Sequence, residues 1–175
     1  MIIKNTSSRF GIIAILLHWV MAFLLIGLVG LGFYMNAIPV SLEKLRLYGW
    51  HKEFGILALM LVIVRFTWRL NNITPSLSQL VKPERIAARI AHYAFYFFMF
   101  SMPITGIFLT SAAGLPVSFF GWFTIPALVQ ADESYRLFFT ELHEWLGYGL
   151  IATFCAHVAG ALKHHFIDRD EILRR

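Results

Sequence analysis

Four apolar stretches, separated by three more polar segments of unequal length, divide the chain. The first runs from Gly11 to Tyr34 without a formal charge. The second covers about Leu47 to Leu70 and is cleanest over Phe54–Val64; the third spans about Arg89 to Ala112, and the fourth about Phe139 to Lys163. Each is about 20 residues or longer, the length a helix needs to cross a hydrocarbon core of about 30 Å. The pattern predicts an all-α, integral membrane four-helix bundle, organised as one transmembrane domain over residues 1–175. Pro103 inside the third stretch predicts a kink. The first stretch exceeds the apolar core of a cleaved signal peptide, about 7–15 residues, and no A-x-A site follows it, so it reads as a retained anchor.

The connecting segments differ in character. Residues 35–46 form a short loop, and residues 71–88 a polar one with Pro75 and Pro83. Residues 113–138 form a longer loop crowded with aromatics in Pro116-Val-Ser-Phe-Phe-Gly-Trp-Phe-Thr-Ile-Pro126. Such a segment is expected to lie in the membrane interface or to cap the helix ends.

Composition agrees with a bilayer as solvent: 58% of the 175 residues are hydrophobic and 14% charged, too few charges for a soluble domain of this length. The net charge of +5 is explained by its placement. Lys4, Arg9, Arg65, Arg69, Lys82, Arg85, Arg89, Lys163, Arg169, Arg174 and Arg175 fall on one side of a four-span topology, and only Lys44, Arg46, Lys52 and Arg136 on the other. By the positive-inside rule both termini are cytoplasmic. No nucleic-acid motif accompanies the charge, so that partner class is set aside. The single cysteine, Cys155, removes a disulfide framework, a multi-cysteine iron–sulfur cluster and a C-x-x-C-H haem attachment.

Histidines inside the spans carry the candidate chemistry, because ionisable residues in hydrocarbon are costly and mark function by default. His18 lies seven residues inside the first span and His157 six residues before the end of the fourth, both about 10 Å deep from the same face. His51 and His143 each lie about four residues, roughly 6 Å, inside the opposite face. His143 and His157 are fourteen residues apart, so they share one side of their helix and stand about 21 Å apart along it. Two histidines at one depth on different helices can ligate both faces of a haem iron, and the two levels leave room for two macrocycles. Gly55 and Gly147 follow His51 and His143 by four residues, and Gly160 follows His157 by three. A glycine there lets a flat cofactor approach the backbone, although small residues also serve ordinary helix packing.

Other chemistries fit less well. Structural zinc wants four ligands around one point, and these pairs lie far apart. A proton relay more often uses an intramembrane carboxylate, whereas Glu53, Glu141 and Glu144 all sit near one rim. A transporter using histidines for protons or metal ions stays as an alternative. His92 lies near the start of the third span, shallower than the His18–His157 level. With Arg65 and Arg69 it could meet haem propionates or a quinone, or be a plain interfacial histidine. His164, on nearly the same face as His157, is rejected as a ligand because it would draw a haem out of the hydrocarbon.

His18-Trp19, His51-Lys-Glu-Phe-Gly-Ile56, Leu142-His-Glu144, His157 and the ending Leu162-Lys-His-His-Phe-Ile-Asp-Arg-Asp170 together resemble the bacterial cytochrome b561 family over nearly the whole chain. The resemblance implies a small di-haem b-type cytochrome of the inner membrane, with two haem b groups ligated by His18, His51, His143 and His157. It also implies superoxide oxidation on the periplasmic side with ubiquinone as electron acceptor. Lys52 and Arg46 could then focus the superoxide anion, or be interfacial charges that snorkel to the surface. Other members of the wider group serve dehydrogenases or hydrogenases as quinone-linked subunits, which would bring a redox partner protein.

Overall fold

A computed structural model describes residues 2–78 and 80–170. Four helices run antiparallel in sequence: α1 Ile12–Ala37, α2 Leu42–Leu70, α3 Lys82–Ala112 and α4 Glu133–Lys163. They agree with the four expected spans but begin earlier at three N-termini, where caps rather than hydropathy decide. Ser41 accepts from the Lys44 amide to start α2, and Asp132 accepts from the Tyr135 amide to start α4. Pro83 in the first turn of α3 needs no amide hydrogen there. With 31 residues, α3 and α4 extend about 46 Å, so their ends protrude beyond a core of about 30 Å.

By length and composition, α1, α3 and α4 with its following turn can each cross a membrane. Helix α2 is not among them; it is the most charged of the four, with Glu43, Lys44, Arg46, Lys52, Glu53, Arg65 and Arg69, and its longest uncharged run is Phe54–Val64. It packs between α1 and α3, while α3 packs on α4. The bundle is apolar on its outside: Phe23, Ile63, Ile90, Phe97 and Trp145 are all exposed. That inversion suits lipid as the solvent. The inside is thinly filled. Met21 of α1, Val62 of α2 and Met99 of α3 form a buried cluster at mid-height, flanked by Leu25, Leu59, Phe95, Tyr96 and Phe100.

The aromatic segment after α3 is more ordered than a loop. Val117–Phe119 (β1) and Phe123–Ile125 (β2) pair antiparallel, turning through Phe120 and Gly121, both at positive φ. Val117 and Phe119 bury against Ile56 of α2, and the Phe120 amide donates to Glu53 Oε1 at 3.2 Å. The hairpin therefore caps the end of the bundle, adding two three-residue strands to an otherwise helical fold. At the other end, Asn5 accepts from the Gly11 amide and donates to Ile73 O, tying the N-terminal residues to the α2–α3 loop. Here α4 continues into a π-helical turn, His164–Asp168. Lys163 bridges Glu84 of α3 and Asp168, each at 2.6 Å, while His164 Nδ1 faces Asp170 at 2.8 Å. His164 is thus engaged with the tail.

Candidate haem-binding site

The fold brings the four histidines together as two pairs. Near the hairpin, His51 of α2 and His143 of α4 have ring centres 6.3 Å apart. Toward the termini, His18 of α1 and His157 of α4 have ring centres 6.4 Å apart. Metal–imidazole bonds of about 2.0–2.1 Å, plus about 1.1 Å from each nitrogen to its ring centre, place ring centres about 6.3 Å apart across one metal ion. Both pairs have that spacing. Leu150 lies seven residues from either ligand candidate on α4 and is buried. With the Met21–Val62–Met99 cluster it fills the space between the two levels with apolar side chains.

The helices that carry the paired histidines stand apart. Neither α1 nor α2 packs closely on α4 among the described residues, whereas α3 does. Gly55 and Gly160 face open space, since a Cβ added to either would meet nothing within 4 Å. A Cβ on Gly147 would meet only Met102, at 3.8 Å. Two further glycines escaped the sequence reading. Gly106 of α3 and Gly32 of α1 lie behind the rings of His143 and His51, where an added Cβ would sit 3.5 Å and 3.6 Å from the Cε1 atoms. Each lies fourteen residues after a histidine of its own helix, His18 and His92, the spacing that also separates His143 from His157, and that is the signal that announces them.

Polar contacts set the imidazoles. Thr105, buried on α3, has its hydroxyl 2.9 Å from both Ser101 O and Met102 O and 3.0 Å from His143 Nδ1. The hydroxyl has one proton to donate, to a carbonyl, so it accepts from His143 Nδ1–H. That leaves the His143 Nε2 lone pair for a metal. The His51 Nδ1 atom is buried and has no hydrogen-bond partner, so Thr105 orients this pair from the α4 side. At the other level Arg65 Nη2 lies 3.2 Å from His18 Nδ1. Arg69 stacks over the Tyr96 ring at 5.7 Å.

His92, ten residues after the start of α3 at Lys82, has its ring centre 6.3 Å from that of His157. His157 therefore has histidines on two sides. The α3–α4 seam is closed: a Cβ on Gly149 would lie 2.5 Å from Phe98 Cζ. The α1–α4 seam is open, so His18 is the neighbour with space for a ring between it and His157.

The remaining candidates lie at the hairpin end. Lys44 Nζ donates to Ile38 O at 2.9 Å, and Arg136 is ion-paired with Glu133. Arg46, exposed, and Lys52, half-buried, form no ion pair among the described residues.

The sequence model of the family described as prokaryotic cytochrome b561 matches residues 9–175. The chain belongs to the prokaryotic cytochrome b561 family. It is 36% identical over 179 residues to Cytochrome b561 homolog 2 of Escherichia coli (strain K12), covering 98% of this chain and 92% of the relative. It is 29% identical over 189 residues to Cytochrome b561 homolog 1 of the same organism, covering 96% of each. A prokaryotic cytochrome b561 is a multi-pass membrane protein carrying b-type haem for electron transfer. The transporter alternative falls with that membership. The residues fit the group: paired imidazoles at metal-bridging distance, open seams beside α4, and cations at the far rim.

Proposed function

We propose that the chain is a superoxide:quinone oxidoreductase whose two haem b groups are held by His51–His143 and His18–His157. The observation that carries the reading is the pairing itself: two imidazole pairs, each at the spacing of one bridged iron, on two levels of α4. Haem held by such histidine pairs would supply one-electron transfer. Each superoxide loses one electron and leaves as dioxygen; two electrons and two protons convert one ubiquinone to ubiquinol.

The chain's own residues set where this happens. Thr105 holds His143 in the tautomer that ligates. The glycines keep the seams clear, and the Met21–Val62–Met99 layer excludes water between the levels. Lys52 adjoins His51, Arg46 lies five residues earlier, and neither is neutralised by a carboxylate among the described residues. Their positive field would focus a small anion on the hairpin end. That end is periplasmic in this reading, because the four-span topology of the sequence assigns eleven of the fifteen Lys and Arg to the opposite side of a bacterial inner membrane. Arg65, Arg69 and His92 gather at the level of His18, where propionates or the quinone head would find donors.

The test is reduction of the purified protein in nanodiscs by an enzymatic superoxide source with ubiquinone present and no other protein. Haem reduction followed by quinol formation is expected. Reduction only after a dehydrogenase or hydrogenase is added would instead make the chain an electron-carrying subunit.

A further inference from the structure

We propose that Arg65 exchanges partners, releasing His18 for iron as its guanidinium takes a haem carboxylate. The inference rests on the reading of His18 and His157 as a ligand pair. Arg65 Nη2 lies 3.2 Å from His18 Nδ1. A guanidinium has N–H donors and no acceptor, so in this contact Nδ1 accepts. A neutral imidazole that accepts at Nδ1 carries its proton on Nε2, and then has no lone pair there for a metal. Ligation through Nε2 needs the reverse tautomer, with the proton on Nδ1. Nδ1–H and the guanidinium would then face each other as two donors. Arg65 and iron therefore cannot both hold His18 in this geometry.

The surroundings say what Arg65 would turn to. A guanidinium in a membrane-spanning helix calls for an anion. Among the described residues no Asp or Glu pairs with Arg65 or Arg69; of the carboxylates near this end, Glu84 and Asp168 are bound to Lys163 and Asp170 faces His164. The groups around Arg65 are His18, His92, His157, Arg69 and the Tyr96 hydroxyl, to which it is hydrogen-bonded, and none of them is a carboxylate. Haem brings two carboxylates on one edge, and a guanidinium binds a carboxylate through two parallel hydrogen bonds. The exchange thus satisfies the cation with the cofactor's own anion and frees the histidine in one movement. It makes Arg65 a selector for the carboxylates of the cofactor.

The test uses the full chain with His143→Ala, which leaves the His18–His157 pair. It is titrated with protohaem and with its dimethyl ester, which has the same iron and ring but no carboxylate charge. The Arg65 protein should prefer protohaem by about 10- to 100-fold, the range of a charged hydrogen-bonded contact. Arg65→Gln should lose most of that preference by weakening protohaem and sparing the ester. An undiminished preference in Arg65→Gln would overturn the proposal. Folding is checked by haem binding to His51–His143 when Arg65→Gln is placed in the chain with His143 intact. If that binding fails, Arg65→Lys carries the test: it keeps the charge without the fork, so the preference should shrink without vanishing, and an unchanged preference overturns the exchange. Should the His143→Ala protein bind neither probe, the ligand pair itself is wrong, and the exchange falls with it.

Discussion

Thr105→Val isolates one hydrogen bond at one proposed ligand. Valine keeps the branched shape, so the buried volume at this position changes little. The hydroxyl that accepts from His143 Nδ1 at 3.0 Å is lost, and its one donated bond, shared between Ser101 O and Met102 O, goes with it. Leaving a buried N–H unsatisfied costs about 1–3 kcal/mol, and losing the residue that orients a metal ligand typically lowers metal affinity about 10- to 100-fold. The two estimates agree, since about 1.4 kcal/mol is tenfold. Helix propensities of Thr and Val are similar, so α3 itself should hold. The assay is transfer of haem from the purified protein to excess apomyoglobin, with the midpoint potential of each haem as a second readout. One haem should leave about 10- to 100-fold faster and shift in potential while the other keeps its wild-type behaviour. Thr105→Ser should restore most of the retention. Wild-type retention and potentials in Thr105→Val would refute the role given to this hydroxyl.

Three further outcomes are expected. Gly55→Ala and Gly147→Ala each add a Cβ that meets at most Met102 at 3.8 Å, so the protein alone has room for it; haem bound by the His51–His143 pair should fall, and full haem content would show that the glycines serve no cofactor. Replacing Lys52 and Arg46 together by Gln should slow reduction by superoxide about 10-fold and flatten its dependence on ionic strength, with haem content unchanged; the wild-type rate and salt response would end the steering idea. Reporter fusions after Arg175 and within the 71–88 loop should both read cytoplasmic, and a periplasmic signal from either would reverse the orientation.

Much of this was legible in the sequence because a bilayer simplifies the code. Apolar length gives the number of helices, and helical rise turns the positions of His18, His51, His143 and His157 into two depths without any knowledge of packing. The ends of the helices were less legible: hydropathy stops where lipid stops, whereas α2 continues to Ser41 and α4 to Asp132 because those side chains cap charged first turns. The closeness of His92 to His157 was not legible either, since it depends on how α3 packs on α4. The hairpin was read only as an aromatic cap, because three-residue strands carry too little alternation to register. Contacts between helices, such as Thr105 with His143 and Arg65 with His18, depend on rotations that no single-helix spacing encodes.

The central claim is that two haems are held by two histidine pairs, and pyridine haemochrome analysis of the purified protein and four single variants tests it most directly. The native chain should carry two haem b per polypeptide, and His18→Ala, His51→Ala, His143→Ala and His157→Ala should each retain about half of that content. Within each pair the two variants should lose the same haem, identified by its redox midpoint. A native content of one haem, or unchanged content in any of the four variants, would contradict the account.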